Sequence, residues 1–425
     1  MTDSRAKPQM APVLCHSRMP TSPGITLYLR VDLRRFSSLL SIMYRIHSTS
    51  QAARSMDRES VFSTSLAFFL APIQKYLEDP SVTEVMVNGA NDIYIEQAGQ
   101  LRATGSSFES EHALESAVRN IAQFVAREVD AQHPILDARL PDGSRVHAVL
   151  PPCARQGTYL TIRKFRRDAY SLPDFIRLGS ITPAAAEFLT LAVRLRRNIL
   201  VSGGTGTGKT SFLNALSGAI PESERIVVIE DSSELQLAQS HCLTLESRPA
   251  LADGTEAIDI RDLFKASLRM RPDRIIVGEV RGGEALDLVQ SMISGHAGSL
   301  STIHATSPRE SLLRLETLSL MSDVDVPIYV ARVQIASAVS LIVQLERSNE
   351  DGKRRIVSIA EQRGLDKDNQ YQLTDIFKTE WERRSDGHPQ PVLKQTGQVA
   401  SFASELVDRG WEAAAALSRA AWGLE

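Results

Sequence analysis

The stretch Val201-Ser202-Gly203-Gly204-Thr205-Gly206-Thr207-Gly208-Lys209-Thr210 constrains this chain more than any other. An apolar run, Asn198-Ile199-Leu200-Val201, precedes it, and Ser211-Phe212-Leu213-Asn214-Ala215-Leu216 follows and reads as helix. The order is strand, glycine loop, helix. Gly203, four residues, then Gly208-Lys209-Thr210 is the spacing of a phosphate-binding loop. Glycines let successive backbone N–H groups turn inward around a polyphosphate, and the helix N-terminus adds partial positive charge there. Lys209 is expected to reach the β- and γ-phosphates, and Thr210 to offer a hydroxyl to Mg²⁺. Gly203, Gly204, Thr205, Gly206, Thr207, Gly208, Lys209, Thr210 and Ser211 are the expected nucleotide-binding residues, with ATP and Mg²⁺ as ligands.

At 425 residues the chain is too long for one ordinary domain. A net charge of −3 argues against a dedicated nucleic-acid binder. Three cysteines, Cys15, Cys153 and Cys242, lie far apart without a C-x-x-C pair. That excludes a disulfide framework and a tetracysteine zinc site, and suits a reducing cytoplasm. The longest apolar run, Leu66 to Ala71, falls well short of the roughly 20 residues a bilayer span needs. A soluble protein, held at a membrane only through its surface or a partner, is expected.

Residues 1–57 are rich in Pro, Ser and Arg and poor in acids, and are expected to form a variable, disordered extension. Residues 58–168 are expected to form an α+β domain. Leu66 to Leu77 has helical spacing; Val82–Val87 and Ile93–Glu96 flank an Asn88-Gly89 turn; His112 to Val129 reads as an amphipathic helix. Strands are expected at Asp137–Leu140, Arg145–Leu150 and Tyr159–Arg163. Over residues 169–378 strands alternate with helices, the signature of an α/β sheet. A hairpin of Val339–Leu345 and Arg355–Ile359 is expected to close that sheet. Residues 379–425 are expected as a tail, loop-like to Gln398 and then helical from Ala400 to about Ala421.

Hydrolysis needs acids at strand ends beside the loop, to hold Mg²⁺ and orient water. Two groups qualify. One is Glu230-Asp231, after Arg225–Ile229, with Glu234 nearby; the other is Glu279, after Arg274–Gly278. Either glutamate could polarise the water. His296 and His304 bracket the strand Ser299–Ile303, which suits reading a γ-phosphate by hydrogen bonds. No ligand spacing supports zinc.

These motifs resemble the secretion ATPase superfamily, which powers type II and type IV secretion and pilus extension and retraction. The resemblance rests on the loop Gly203–Thr210, the aspartate box Ile229–Leu235, the Walker B segment Ile275–Arg281 and the histidine box Gly295–Ala305. It covers about Ser60 to Gly410 and is narrowest to the CpaF-like Tad/Flp pilus ATPases, through Glu84–Gly89, Ala138–Val146, Leu160–Phe165 and Arg269–Glu279. The resemblance implies an α/β fold: a RecA-like ATPase domain behind an α+β N-terminal domain, assembled as a homohexameric ring. It implies a cytoplasmic motor that is peripheral at the inner membrane through platform proteins of a pilus or secretion machine. It also implies that arginines complete the site: Arg139, Arg145 and Arg163 first, with Arg269 and Arg271 as secondary candidates. The rival readings are a RecA-like nucleic-acid motor, a conjugation-type DNA-transfer ATPase, and a sensor that binds nucleotide without turnover.

Overall fold

The structure is a computed structural model and describes residues 62–97, 99–165, 170–250, 254–348, 351–383 and 389–424. The extension expected over residues 1–57 lies outside the described residues. Two sheets carry the fold, one of six strands and one of nine.

The six-stranded sheet is antiparallel, in the order β3-β2-β1-β6-β5-β4. Its strands are β1 (Val82–Asn88), β2 (Ile93–Gln97), β3 (Gln100–Ala103), β4 (Ile135–Arg139), β5 (Arg145–Val149) and β6 (Tyr159–Arg163). Alternation along β1 turns Val85 and Val87 into the core, and a register shift between Val82 and Glu84 brings Val82 there too; the helix Glu111–Phe124 covers them with Leu114, Val118 and Ile121. Ser110 caps that helix by accepting from the Ala113 N–H. The helix stops at Phe124 and not at Val129, because Ala126 takes a left-handed φ of 54°. Leu66–Leu77 is likewise two pieces, a helix over 62–69 and a second at Gln74–Glu78, since Pro72 cannot continue the hydrogen-bond ladder. β3 has no apolar alternation, and all four of its residues are exposed.

The nine-stranded sheet runs β15-β14-β13-β12-β7-β11-β10-β8-β9. From β12 to β9 every pairing is parallel; β12 to β15 form an antiparallel meander. Near the centre sits β7 (Ile199–Gly203), wholly buried. Its side chains alternate between two cores. Ile199 and Val201 pack with the helices Pro183–Arg194 and Lys209–Ser217; Leu200 packs on the other face with Glu284–Ile293 and Pro308–Ser319. Burying each such aliphatic side chain contributes about 1.5–3 kcal/mol. β8 (Ile226–Glu230), β10 (Arg274–Val277), β11 (Leu300–Ile303) and β12 (Leu341–Arg347) flank it, and their buried runs mark a sheet covered on both faces.

Three further expectations are corrected. The hairpin does not close the sheet: β13 (Arg354–Leu365) pairs onward with β14 (Tyr371–Arg383), and β14 with β15 (Pro389–Gln395). The segment from Lys378 to Gln398 is therefore largely strand, and the boundary expected at 378 falls inside β14. Its polarity is that of an exposed edge, where Lys394 pairs with Glu380 at 3.1 Å and Glu382 at 2.7 Å and prolines are tolerated. The terminal helix is also broken up. Ala403–Asp408 is helical, Gly410 turns the chain at a φ of 68°, and two 3₁₀ turns follow at Glu412–Ala414 and Arg419–Trp422. Phe402, Leu406 and Trp422 still pack into the core, with Trp422 5.0 Å from Phe188 ring to ring, whereas Leu417 is exposed. Lastly, the edge strand β9 (Cys242–Glu246) and the helix Ile328–Ala338 carry no expectation from the sequence.

Candidate active site

Parallel strands bring their carboxyl ends to one edge. There β7 runs into the glycine loop, β8 ends on Glu230, β10 is followed by Gly278-Glu279, and β11 by His304. Gly203 is sterically fixed, because a Cβ there would meet the Leu345 carbonyl at 2.7 Å. Gly206 and Gly208 take left-handed φ values of 71° and 92°, which fold the loop back over the helix Lys209–Ser217. Open space over Gly206 and the strand–loop–helix turn fit a polyphosphate. Gly204 and Thr205 are exposed at the mouth of a cleft of about 620 Å³, which is also lined by Gln344, Arg347 and Ser348. Thr210 is half-buried in the first helical turn and Ser211 is exposed beside it.

The Thr207 hydroxyl and the Lys209 ammonium both donate to the Gly204 carbonyl, at 2.9 and 3.0 Å. Lys209 also lies 3.3 Å from His304 Nδ1, and His304 Nε2 lies 2.8 Å from a Glu279 carboxylate oxygen. Lys209 Nζ is almost as near to Nε2, at 3.4 Å, so it is the glutamate contact that assigns the tautomer, with Nε2–H donating to Glu279. Burial and the neighbouring Lys209 charge hold the His304 pKa below the usual imidazole range, so the ring is neutral near pH 7. Burial also lowers the Lys209 pKa, against the pull of Glu279. For Glu279 burial acts upward, but the Arg281 hydrogen bond and charge outweigh it, and the carboxyl stays below its usual value. Arg281 binds Glu279 at 2.8 Å and Asp231 at 3.4 Å.

Glu230 occupies different surroundings. Its carboxylate is buried and accepts the backbone N–H groups of Glu234 at 3.0 Å and Leu235 at 3.1 Å. Gly278 leaves the room for it; a Cβ there would stand 2.8 Å from Glu230 Cγ. Burial pushes the Glu230 pKa up to about 7, against those two hydrogen bonds.

The six-stranded sheet meets this edge through three arginines. Arg139, Arg145 and Arg163 are direct cross-strand partners on β4, β5 and β6, a row across three neighbouring strands. Arg139 binds Glu246 at 2.7 Å and the Ser233 carbonyl at 2.8 Å. Arg145 binds Ser232 through its hydroxyl at 2.9 Å and its carbonyl at 3.0 Å, and reaches Glu234 at 3.1 Å. Arg163 lies 3.8 Å from the same Glu234 oxygen. Like charges at strand spacing repel, and Glu234 of the aspartate box and Glu246 of β9 supply the counter-charge. On the other side of the loop, Arg347 donates to the Gly99 carbonyl at 2.8 Å.

His296 does not join this group. It precedes β11, at the opposite end of the strand from His304, and its ring Nδ1 is buried without a partner. Seven residues lie between them, four of these in β11 at about 3.3 Å each, so the two histidines do not converge on one phosphate within this chain. Two neighbours of the site escaped the sequence reading. Arg281 stood in the Walker B segment without a role. Arg354 donates from Nε to the Gly206 carbonyl at 2.7 Å, a contact spanning 148 residues that no local pattern signals.

Residues 69–380 match the family model described as "Type II/IV secretion system protein". The chain belongs to that family. A putative conjugal transfer protein of Mycobacterium tuberculosis is 36% identical over 294 residues, covering 68% of this chain and 83% of its own. The type IV secretion system protein PtlH of Bordetella pertussis is 36% identical over 329 residues, covering 71% and 96%. Among solved structures, the Legionella pneumophila ATPase DotB superposes with a TM-score of 0.51 at 17% identity, over 69% of this chain and 80% of that one, a likeness of fold. This secretion-family chain is an α/β protein with a RecA-like P-loop ATPase domain behind an α+β N-terminal domain. Its family and glycine loop make it an ATPase of the type II/IV secretion family. Among the described residues no helix is long and apolar enough to cross a membrane.

Proposed function

We propose that this ATPase is the motor of a Tad/Flp-type pilus-assembly or type IV secretion machine, working as a homohexameric ring in the cytoplasm against inner-membrane platform proteins. The observation that carries the reading is the chain of contacts from Lys209 through His304 to Glu279, at the mouth of the glycine loop. In this reading the loop N–H groups and Lys209 hold the phosphates of ATP, and the Thr210 hydroxyl and Glu279 hold Mg²⁺. When bound, Mg²⁺ neutralises phosphate charge. Glu279 is the ionised carboxylate that faces the lysine, and it suits orienting water; neutral His304, whose one N–H is held by Glu279, suits giving that N–H to a phosphate oxygen once it is released from the carboxylate. Glu230, taken up by two backbone N–H groups, suits shaping the aspartate box. Arg139, Arg145 and Arg163 suit offsetting phosphate charge once they leave Glu234 and Glu246. We take residues 58–168 as the moving N-terminal domain.

The test is ATP turnover. Lys209→Ala is expected to abolish it with the fold intact, and Glu279→Gln to lower kcat by about 10²–10³-fold with nucleotide still bound. Turnover at the wild-type rate in Lys209→Ala would overturn the loop assignment; an unchanged rate in Glu279→Gln would point to a sensor that works by binding alone. A second reading, a conjugation-type DNA-transfer ATPase, has support in the printed description of the M. tuberculosis relative as a conjugal transfer protein. Stimulation of turnover by single-stranded DNA would favour it over a pilus motor.

A further inference from the structure

The first residue of β13 touches the glycine loop from outside. Arg354 Nε donates to the Gly206 carbonyl at 2.7 Å, and its Cδ lies 3.5 Å from where a Gly208 Cβ would stand. The Arg354 backbone is itself held: its carbonyl accepts the Ser180 hydroxyl at 2.7 Å, and the Ile356 N–H donates to the Ser180 carbonyl at 2.9 Å. A trans peptide is planar, with its C=O and N–H pointing in opposite directions. The Gly206 carbonyl and the Thr207 N–H belong to one peptide. With the carbonyl drawn outward onto a fixed arginine, the Thr207 N–H is turned the other way, into the loop. Gly206, at a left-handed φ of 71°, has no side chain, so rotation about its ψ meets little steric barrier to flipping that peptide. Hydrogen bonding at the carbonyl also polarises the amide and strengthens its N–H as a donor.

We propose that Arg354 is a positioning residue for nucleotide: it locks the Gly206–Thr207 peptide so that the Thr207 N–H faces the polyphosphate. It acts through the loop backbone from the antiparallel half of the sheet, at the rim of the site. The anchor at Ser180 ties this lock to the segment just after the helix Leu172–Arg177. The inference rests on the reading of the loop as the nucleotide site.

The experiment compares the full-length wild type, Arg354→Gln and Arg354→Lys. Binding of a fluorescent ADP analogue (mant-ADP) is measured, and deuterium uptake is followed in peptides covering residues 203–210. Arg354→Gln is expected to weaken mant-ADP binding by about tenfold, the loss of one charge-assisted hydrogen bond. It should also raise deuterium uptake in the loop of the nucleotide-free protein, with melting temperature unchanged because the side chain is exposed. Arg354→Lys keeps the charge but loses the Nε donor, and it should resemble Arg354→Gln in loop uptake. Affinity within twofold of wild type, or unchanged loop uptake in Arg354→Gln, would overturn the proposal. So would full recovery of loop uptake by lysine, which would make the effect one of charge alone. Failure of the wild type itself to bind mant-ADP would instead sink the ATP-site reading.

Discussion

Two glutamates at neighbouring strand ends read alike in the sequence and differ in the fold. Glu279 is tied to Arg281, His304 and, through the histidine, Lys209; Glu230 is tied to backbone. Their proton affinities separate accordingly, one lowered and one raised to about 7. The sign for stability follows from linkage. Glu230 binds its proton more tightly folded than unfolded, so its ionised form opposes folding. That cost is absent below the unfolded pKa near 4.5 and grows as pH rises through about 7. Glu230→Gln is therefore expected to melt higher relative to wild type at pH 8 than at pH 5, by up to about 3 kcal/mol between the two. A stability difference that does not change with pH would refute the assignment. The sequence alone reached the acids and the loop because each follows a buried strand. It could not separate the two glutamates, because the distinction lies in which N–H groups and cations face each carboxylate. His296 and His304 were expected to bracket one strand and do so, one before β11 and one after it.

At the scale of elements, the parallel half of the large sheet was legible and the antiparallel half was not. β7, β8, β10 and β11 are short apolar runs buried on both faces. β14 buries Ile376 and Phe377 but exposes Glu380, Trp381 and Glu382, and β15 carries Pro389 and Pro391. Such edges look like loops to any reading based on hydrophobic period. The tail failed differently. Phe402, Leu406, Trp411 and Leu417 approximate a helical repeat, yet Gly410 breaks it, and Trp422 makes the contacts expected of the helix. Trp422→Ala would remove a buried indole set between Phe188 and Phe402. It should cost about 3–5 kcal/mol, read as a lowered denaturant midpoint. A loss under 1 kcal/mol would mean that the tail is an appendage and not part of the core.

At the scale of the whole molecule, the two sheets meet the nucleotide edge on both sides of the loop, at Arg347–Gly99 and at the aspartate box. The second contact is mostly charge. Its ion pairs are partly exposed, so each contributes about 1 kcal/mol or less. Replacing Arg139, Arg145 and Arg163 together by alanine should raise deuterium uptake over Ser232–Leu235 while β7 stays protected; unchanged uptake there would show that the row does not hold the box. The arginine row has a further consequence. Three arginines in adjacent registers form a comb rooted on strands about 5 Å apart, and like charges so placed repel. The row is partly exposed, so water screens much of that repulsion when Glu234 and Glu246 let go. In the proposed motor, undocking and anion capture are then two halves of one exchange, in which oxygens of a phosphate take the place of the two carboxylates.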